Sequence, residues 1–371
     1  THHCGSLSEA KRVLILTSPR TALRIPKQLK YISHCLYSIM SEKQKPAIWM
    51  WRGYPERKPV LEFPDELLEN FPKYFDTVYY GDIVKNPDIG KTVKAAVLFA
   101  PIYKYFLEQQ HLMPNLKVIA NVGTGTDHID IASQKKKGVM VTNTLDVQSD
   151  TVADHAMALL LSAARVILPS ALWLRQKGTL HLNLLGIEVN RATLGIVGLG
   201  SIGFKTAQRA RGFNMKILYH QRTRKTQEEE ESLGGATFYS RLGDMLPHCD
   251  FVVVACPLTM ATENMFGAKE FALMKQTAIL VNVGRGQLVD QDALVAALKS
   301  GQIHGAALDV TNPEPLPLQH PLLEMENVIV TPHSGTATFA TRQAMLDACV
   351  DNLKAALIDD VTPPNLVEVA K

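Results

Sequence analysis

Thr193–Gly203 reads TLGIVGLGSIG. Its first half, Leu194-Gly195-Ile196-Val197, is a short apolar run of the kind that forms a buried strand. Gly198, Gly200 and Gly203 follow in the G-x-G-x-x-G pattern, and Ile202, Ala207 and Ala210 mark the apolar side of a helix running to Arg211. Strand, glycine turn and helix in this order form the setting in which the pattern binds a dinucleotide. Gly198 would permit the sharp turn, Gly200 the approach of backbone to a pyrophosphate, and Gly203 the close packing of helix on strand. Backbone amides and the positive end of the helix dipole would face the phosphates.

The chain on either side repeats the same alternation. Ala47–Trp51, Thr77–Tyr80, Ala95–Phe99, Val118–Asn121 and Val139–Thr142 read as strands before the glycine turn. Lys216–Tyr219, Asp250–Ala255, Ala278–Val283, Gly305–Asp309 and Val328–Thr331 read as strands after it. Helical patterns cover Asp65–Phe71, Asp150–Ile167, Asp292–Ser300 (closed by Gly301) and Thr341–Ile358. Strands alternating with helices predict parallel βαβ units, so the expected fold is α/β with two doubly wound parallel-sheet domains. The acidic run Glu228–Glu231 is expected on a solvated helix face.

Composition sets limits on function. The 371 residues are 46% apolar and 20% charged, ordinary for a globular chain with a sizeable core. A net charge of +3 is too small to argue for a nucleic acid or membrane partner. Cys4, Cys35, Cys249, Cys256 and Cys349 are scattered without a C-x-x-C, which suits reduced cytoplasmic thiols and offers no metal site. Thr1–Ile39 holds one acid, Glu9, among several basic residues and serines. We read residues 1–45 as an appendage outside the fold; the alternative is a mitochondrial transit segment.

The residues after the second strand of the glycine-turn unit choose the cofactor. An NAD site places a carboxylate there, about 20 residues beyond the glycines, to accept from the ribose hydroxyls. This chain has His220-Gln221-Arg222-Thr223-Arg224-Lys225, without a carboxylate. A 2′-phosphate favours such cations, so NADP(H) is expected over NAD(H), with Arg222, Thr223 and Arg224 at the phosphate. The alternative is a solvated basic loop.

Three further segments stand just after predicted strands, at the edge where doubly wound sheets bind ligands. They are Val281–Gly286, Asn312–Leu316 and Thr331–Gly335. Arg285 in the first can clamp a carboxylate. His333 in the last can protonate a developing alkoxide near neutral pH. Glu314 would orient its ring and favour the charged form. Each residue taken singly also fits a structural role.

From about Pro46 onward the chain resembles the D-isomer-specific 2-hydroxyacid dehydrogenase family. The resemblance rests on GTGTDHID (Gly123–Asp130), GLGSIG (Gly198–Gly203), ACPLT (Ala255–Thr259), VNVGRGQLVD (Val281–Asp290), ALDVTNPEPLP (Ala307–Pro317) and TPHSGTAT (Thr331–Thr338). It implies a flavodoxin-like substrate domain over 46–144 plus 336–371 and a Rossmann cofactor domain over 145–335. It also implies a homodimer built mainly through the cofactor domains. Catalytic Arg285, Glu314 and His333 are implied, with the Thr124 and Gly125 amides receiving the substrate carboxylate beside Arg285 and His333. Gly198, Gly200, Ser201, Ile202, Gly203, Pro257, Val283, Asp309 and Gly335 would line the cofactor, Asp309 near the nicotinamide amide.

DVQSDTVAD (Asp146–Asp154), the basic loop after Tyr219 and FVVVACPLTMATE (Phe251–Glu263) are most similar to the family's glyoxylate- and hydroxypyruvate-reducing, NADPH-using branch. Asp154 stands where the family usually has Glu. The segment Gln176–His181 lacks an expected tryptophan after Gly178, in a region that reaches the neighbouring subunit's active site in that branch. The alternatives are another substrate, such as 2-ketogluconate or 3-phosphoglycerate, and a non-catalytic co-repressor of the same fold. Tyr54, Pro55 and Ala100-Pro101-Ile102 carry too little charge for a phosphorylated substrate.

Overall fold

The computed structural model describes residues 45–51, 63–179 and 183–368. The appendage expected over 1–45 therefore lies, apart from Lys45, outside the described residues. So do Tyr54, Pro55, Leu180 and His181.

Five strands form the first sheet: β1 (Ala47–Met50), β2 (Asp76–Tyr79), β3 (Val93–Leu98), β4 (Val118–Asn121) and β5 (Met140–Thr142). They lie in the order β2-β1-β3-β4-β5 and every neighbouring pair is parallel. This is the doubly wound order of flavodoxin-like sheets. The second sheet has β6 (Thr193–Val197), β7 (Lys216–His220), β8 (Thr237–Tyr239), β9 (Phe251–Val254), β10 (Ile279–Asn282), β11 (Gly305–Leu308) and β12 (Val328–Val330). Its order is β12-β11-β10-β9-β6-β7-β8, again parallel throughout. From β6 the chain winds outward to β8 on one side and through β9 to β12 on the other, the arrangement of a dinucleotide-binding sheet.

The strands alternate their side chains between two cores because both faces of a parallel sheet are covered. In the second sheet Ile196, Ile217, Val253 and Val281 pack under α1 (Ser149–Ala164), through Val152, Ala156 and Leu160. Val197, Leu218, Val252 and Leu280 pack on the other face against Phe271, Leu294 and Leu298. In the first sheet Trp49, Ala96, Leu98 and Ile119 meet Ile83, Ile102 and Phe106. The opposite face, with Ile48, Ala95, Val97 and Val118, is covered by Met345, Leu346, Cys349 and Leu353. Those four residues belong to the C-terminal helix Phe339–Leu357, so the chain returns to the first sheet at its end.

Three local readings need correction. The helix expected over Asp65–Phe71 is two short helices, Asp65–Leu68 and Phe71–Tyr74, the second opening with Pro72 in its first turn. The helix expected to reach Ile167 stops at Ala164; Val166 takes a left-handed φ of +46°, and α2 (Ile167–Lys177) leaves at 58° to α1. Strand β8 was not expected, since its three partly exposed residues give no apolar run. No single helix among the described residues is long and apolar enough to cross a membrane.

The glycine turn is built as its spacing requires. Gly198 has φ +93°, and a Cβ there would lie 2.6 Å from Cys256 Cα. A Cβ on Gly203, in α3 (Ser201–Ala210), would lie 2.1 Å from the Gly198 carbonyl oxygen. At Gly200 nothing lies within 4 Å of a Cβ, which leaves open space beside the backbone at the mouth of the turn. Gly203→Ala is therefore expected to cost about 1–3 kcal/mol in denaturant unfolding, as overpacking does. Gly200→Ala should stay within about 0.5 kcal/mol of the parent. Equal losses would contradict the packing described.

Candidate active site

Because both sheets are parallel, the loops that follow the strands gather at one edge of each. In the second sheet the segments after β6, β7, β9, β10, β11 and β12 hold Gly198, Arg222, Pro257, Arg285, Glu314 and His333 in turn. Backbone contacts bind these loops together. A Cβ on Gly284 would meet the Cys256 carbonyl oxygen at 3.1 Å, and one on Gly286 would meet the Thr311 carbonyl oxygen at 2.0 Å. The segments of Arg285 and Glu314 are thus pressed together at Gly286, where a Cβ would clash with backbone.

His333 stands in the left-handed region, with φ +52°, where a non-glycine residue needs support from its surroundings. Its N–H donates to the Asp309 carbonyl at 2.8 Å, and its Nδ1 lies 3.0 Å from Glu314 Oε2. Glu314 Oε1 accepts from the Thr311 N–H at 3.0 Å, so both carboxylate oxygens are held. Nε2 is the ring nitrogen without a hydrogen-bond partner among the described residues, and the His333 side chain is 45% exposed.

Asp309 anchors this loop from within. It is 3% exposed. Its Oδ1 accepts from Thr331 Oγ1 (2.6 Å) and the Ser334 N–H (2.8 Å) and faces His155 Nε2 (3.1 Å); Oδ2 accepts from the Gly335 N–H (2.8 Å). Burial alone would raise its pKa, but bonds from His155, Thr331 and Ser334 outweigh this and hold it at about 2. The carboxylate expected near a nicotinamide amide is therefore engaged by its own chain. His155 was missed by sequence reading; its only signal is a histidine beside the apolar side of α1 formed by Val152, Ala156 and Leu159.

Arg285 reaches the first sheet. Its Nε donates to Asp127 Oδ1 at 3.0 Å and Oδ2 at 3.2 Å, and its Nη1 to the Gly284 carbonyl at 3.0 Å. Nη2 lies 1.7 Å from where a Gly125 Cβ would stand, so the guanidinium rests on the glycine backbone. Gln148 stands beside Thr124. In the Gln148 amide orientation that satisfies both ends, Nε2 donates to the Thr144 carbonyl (2.8 Å) and Oε1 accepts from the Thr124 N–H (2.8 Å). Thr124 thus directs its amide to Gln148, while Gly125 N has no hydrogen-bond partner among the described residues.

The loop after β7 divides its cations. Arg224 forks onto Glu230, Nε to Oε1 at 2.9 Å and Nη2 to Oε2 at 2.8 Å, and Tyr219 Oη donates to Oε1 at 2.6 Å. Glu230 is 6% exposed, which corrects the expectation of a wholly solvated acidic face. The Arg224 and Tyr219 hydrogen bonds hold its carboxyl down at about 2. Arg224, expected at the phosphate, is thereby engaged within the loop. Arg222 and Thr223 remain exposed beside it, and Gln221 Oε1 accepts from the Leu199 N–H at 3.0 Å where an NAD site has its carboxylate. Asp154, the departure in α1, pairs with Arg209 of α3.

Residues 157–335 match the family described as D-isomer specific 2-hydroxyacid dehydrogenase, NAD binding domain. The chain is 44% identical over 317 residues to the glyoxylate reductase of Pyrococcus horikoshii, covering 82% of this chain and 93% of that one. It is 39% identical over 305 residues to glyoxylate/hydroxypyruvate reductase B of Escherichia coli, covering 79% and 92%. Among solved structures it is similar to the NADPH-dependent glyoxylate/hydroxypyruvate reductase of Sinorhizobium meliloti in complex with NADP and malonate. There the TM-score is 0.76 at 32% identity, over 87% of this chain and 97% of that one.

His128, next to Asp127, lies edge-on to Tyr103 with ring centroids 5.5 Å apart, and neither ring nitrogen has a hydrogen-bond partner among the described residues. Burial chiefly pushes its pKa down to about 4; Asp127 opposes this and Arg285 reinforces it. The unfolded chain takes up this proton near pH 6.5, so between 6.5 and 4 the unfolded state binds more protons and acid favours it. Unfolding free energy should therefore fall across that window by about 3 kcal/mol from this residue. In His128→Phe that share of the acid-dependent loss should vanish from denaturant titrations; identical pH slopes would contradict the assignment.

Proposed function

Because the chain belongs to the D-isomer-specific 2-hydroxyacid dehydrogenase family, we propose that it reduces small 2-oxo acids, hydroxypyruvate and glyoxylate, to the D-2-hydroxy acids or glycolate with NADPH. The observation that carries this reading is the His333–Glu314 pair at 3.0 Å on the same strand-end edge as an arginine laid over Gly125. It provides a proton donor and a carboxylate clamp beside a dinucleotide turn.

The residues present fit the cofactor. The open space at Gly200 admits a pyrophosphate, with Ser201, Ile202 and Gly203 opening the helix behind it. Pro257, Val283 and Gly335 lie on the adjoining loops. The exposed Arg222 and Thr223 would meet a 2′-phosphate, while Arg224 stiffens the loop through Glu230. A bound nicotinamide supplies the hydride. Arg285 and the Gly125 amide hold the substrate carboxylate and draw charge toward the carbonyl oxygen. His333 gives its Nε2 proton to that oxygen as the carbon is reduced, and Glu314 keeps the ring oriented through Nδ1.

The resemblance assigns 46–144 plus 336–371 to substrate binding and 145–335 to the cofactor, and the C-terminal helix packed on the first sheet is consistent with it. A homodimer is proposed through α2, which buries none of its residues and exposes Ile167 (52%), Leu168 (44%) and Leu174 (59%). The cytoplasm is the compartment proposed.

Steady-state turnover of hydroxypyruvate, glyoxylate and 2-ketogluconate with each cofactor tests the reading. The first two should be reduced with NADPH in preference to NADH. Arg222→Ala should raise the KM for NADPH by roughly tenfold or more, the loss of one charge-assisted contact, and leave that for NADH within about twofold of the parent. Equal changes would show a merely solvated loop.

A further inference from the structure

We infer that Asp127 is a positioning residue for the substrate clamp, aiming the Arg285 guanidinium at the Gly125 amide and limiting which of its donors a ligand can use. The inference rests on the reading of this cleft as a 2-oxo acid site. Asp127 follows β4 of the first sheet and Arg285 follows β10 of the second, so their bond joins a loop of one sheet to a loop of the other. The two side chains are 26% and 27% exposed.

The division of donors is specific. A guanidinium has five N–H groups in a fixed fork. Nε points at both Asp127 oxygens, at 3.0 and 3.2 Å, and one Nη1 donor goes to the Gly284 carbonyl at 3.0 Å. The second Nη1 donor and both Nη2 donors remain, and Nη2 is the atom lying over Gly125. Asp127 also packs there: its Oδ1 lies 3.0 Å from where a Gly125 Cβ would stand. Glycine, arginine and aspartate thus form one packed group that any side chain at 125 would break. A carboxylate seated on the Gly125 amide meets Nη2 without a search by the long side chain, whose free rotamers Asp127 has removed.

Simple electrostatics gives the opposite expectation. Asp127 carries negative charge beside the place of an anionic substrate, so its removal should strengthen anion binding if charge alone mattered. Positioning requires that its removal weaken binding. The two accounts therefore differ in sign.

The test uses the NADPH-loaded protein and oxamate, an inert molecule with a carboxylate next to a carbonyl, titrated by calorimetry into the parent, Asp127→Asn and Asp127→Ala. Asp127→Ala should bind oxamate about three- to tenfold more weakly, the scale of one side chain's released rotamers. Asp127→Asn, which keeps an acceptor for Nε, should fall between it and the parent. The KM for hydroxypyruvate should rise in the same order, with NADPH affinity unchanged as the sign of an intact fold. Equal or tighter oxamate binding in both variants would overturn the positioning role. Absence of oxamate binding in the parent would instead contradict the reading of the cleft, and the clamp with it.

Discussion

Asp309 is a carboxylate withdrawn from water between the ends of β11 and β12, and the geometry of the loop that carries His333 depends on it. Isolated in an apolar interior, such a charge would cost several kcal/mol. Here Thr331, Ser334, Gly335 and His155 surround it, and hydrogen bonds to a charged acceptor contribute about 1.5–3 kcal/mol each. The same residue's carbonyl takes the His333 N–H. One side chain and its own backbone therefore fix successive residues of the loop, including a histidine held at φ +52°. The strained backbone is sustained because the surrounding bonds leave it no alternative.

That anchor explains a division of labour among the acids. Glu314 is partly exposed and faces the His333 ring, whereas Asp309 is buried and faces the loop's backbone. Glu230 plays the corresponding part beside the glycine turn, where a buried carboxylate gathers Tyr219 and Arg224 and shapes the loop that leaves Arg222 outside. In each case a buried anion sets backbone shape and a neighbouring residue is left exposed at the strand-end edge.

Much of this was legible in the sequence because it follows from periodicity and punctuation. Apolar runs located the strands to within a residue or two, except for β8, whose edge position demands no apolar run. The glycine spacing gave the turn, and the contacts at Gly198 and Gly203 supply its reason. Arg285, Glu314 and His333 could be found because each follows a strand among glycines and prolines. What sequence could not give was pairing across distance. Nothing in the run Glu228–Glu231 shows that Glu230 turns inward, nothing near Thr124 shows that Gln148 takes its amide, and His155 lies over 150 residues from the carboxylate it meets. Side-chain partners of this kind arise only when helices and sheets pack.

The central claim is that His333 delivers a proton in a site whose binding functions are held by other residues. The direct measurement is single-turnover reduction of hydroxypyruvate by His333→Ala alongside its NADPH affinity. Loss of an acid of this kind should lower the rate by about two to four powers of ten, with NADPH bound as tightly as by the parent. An unchanged rate would contradict the account.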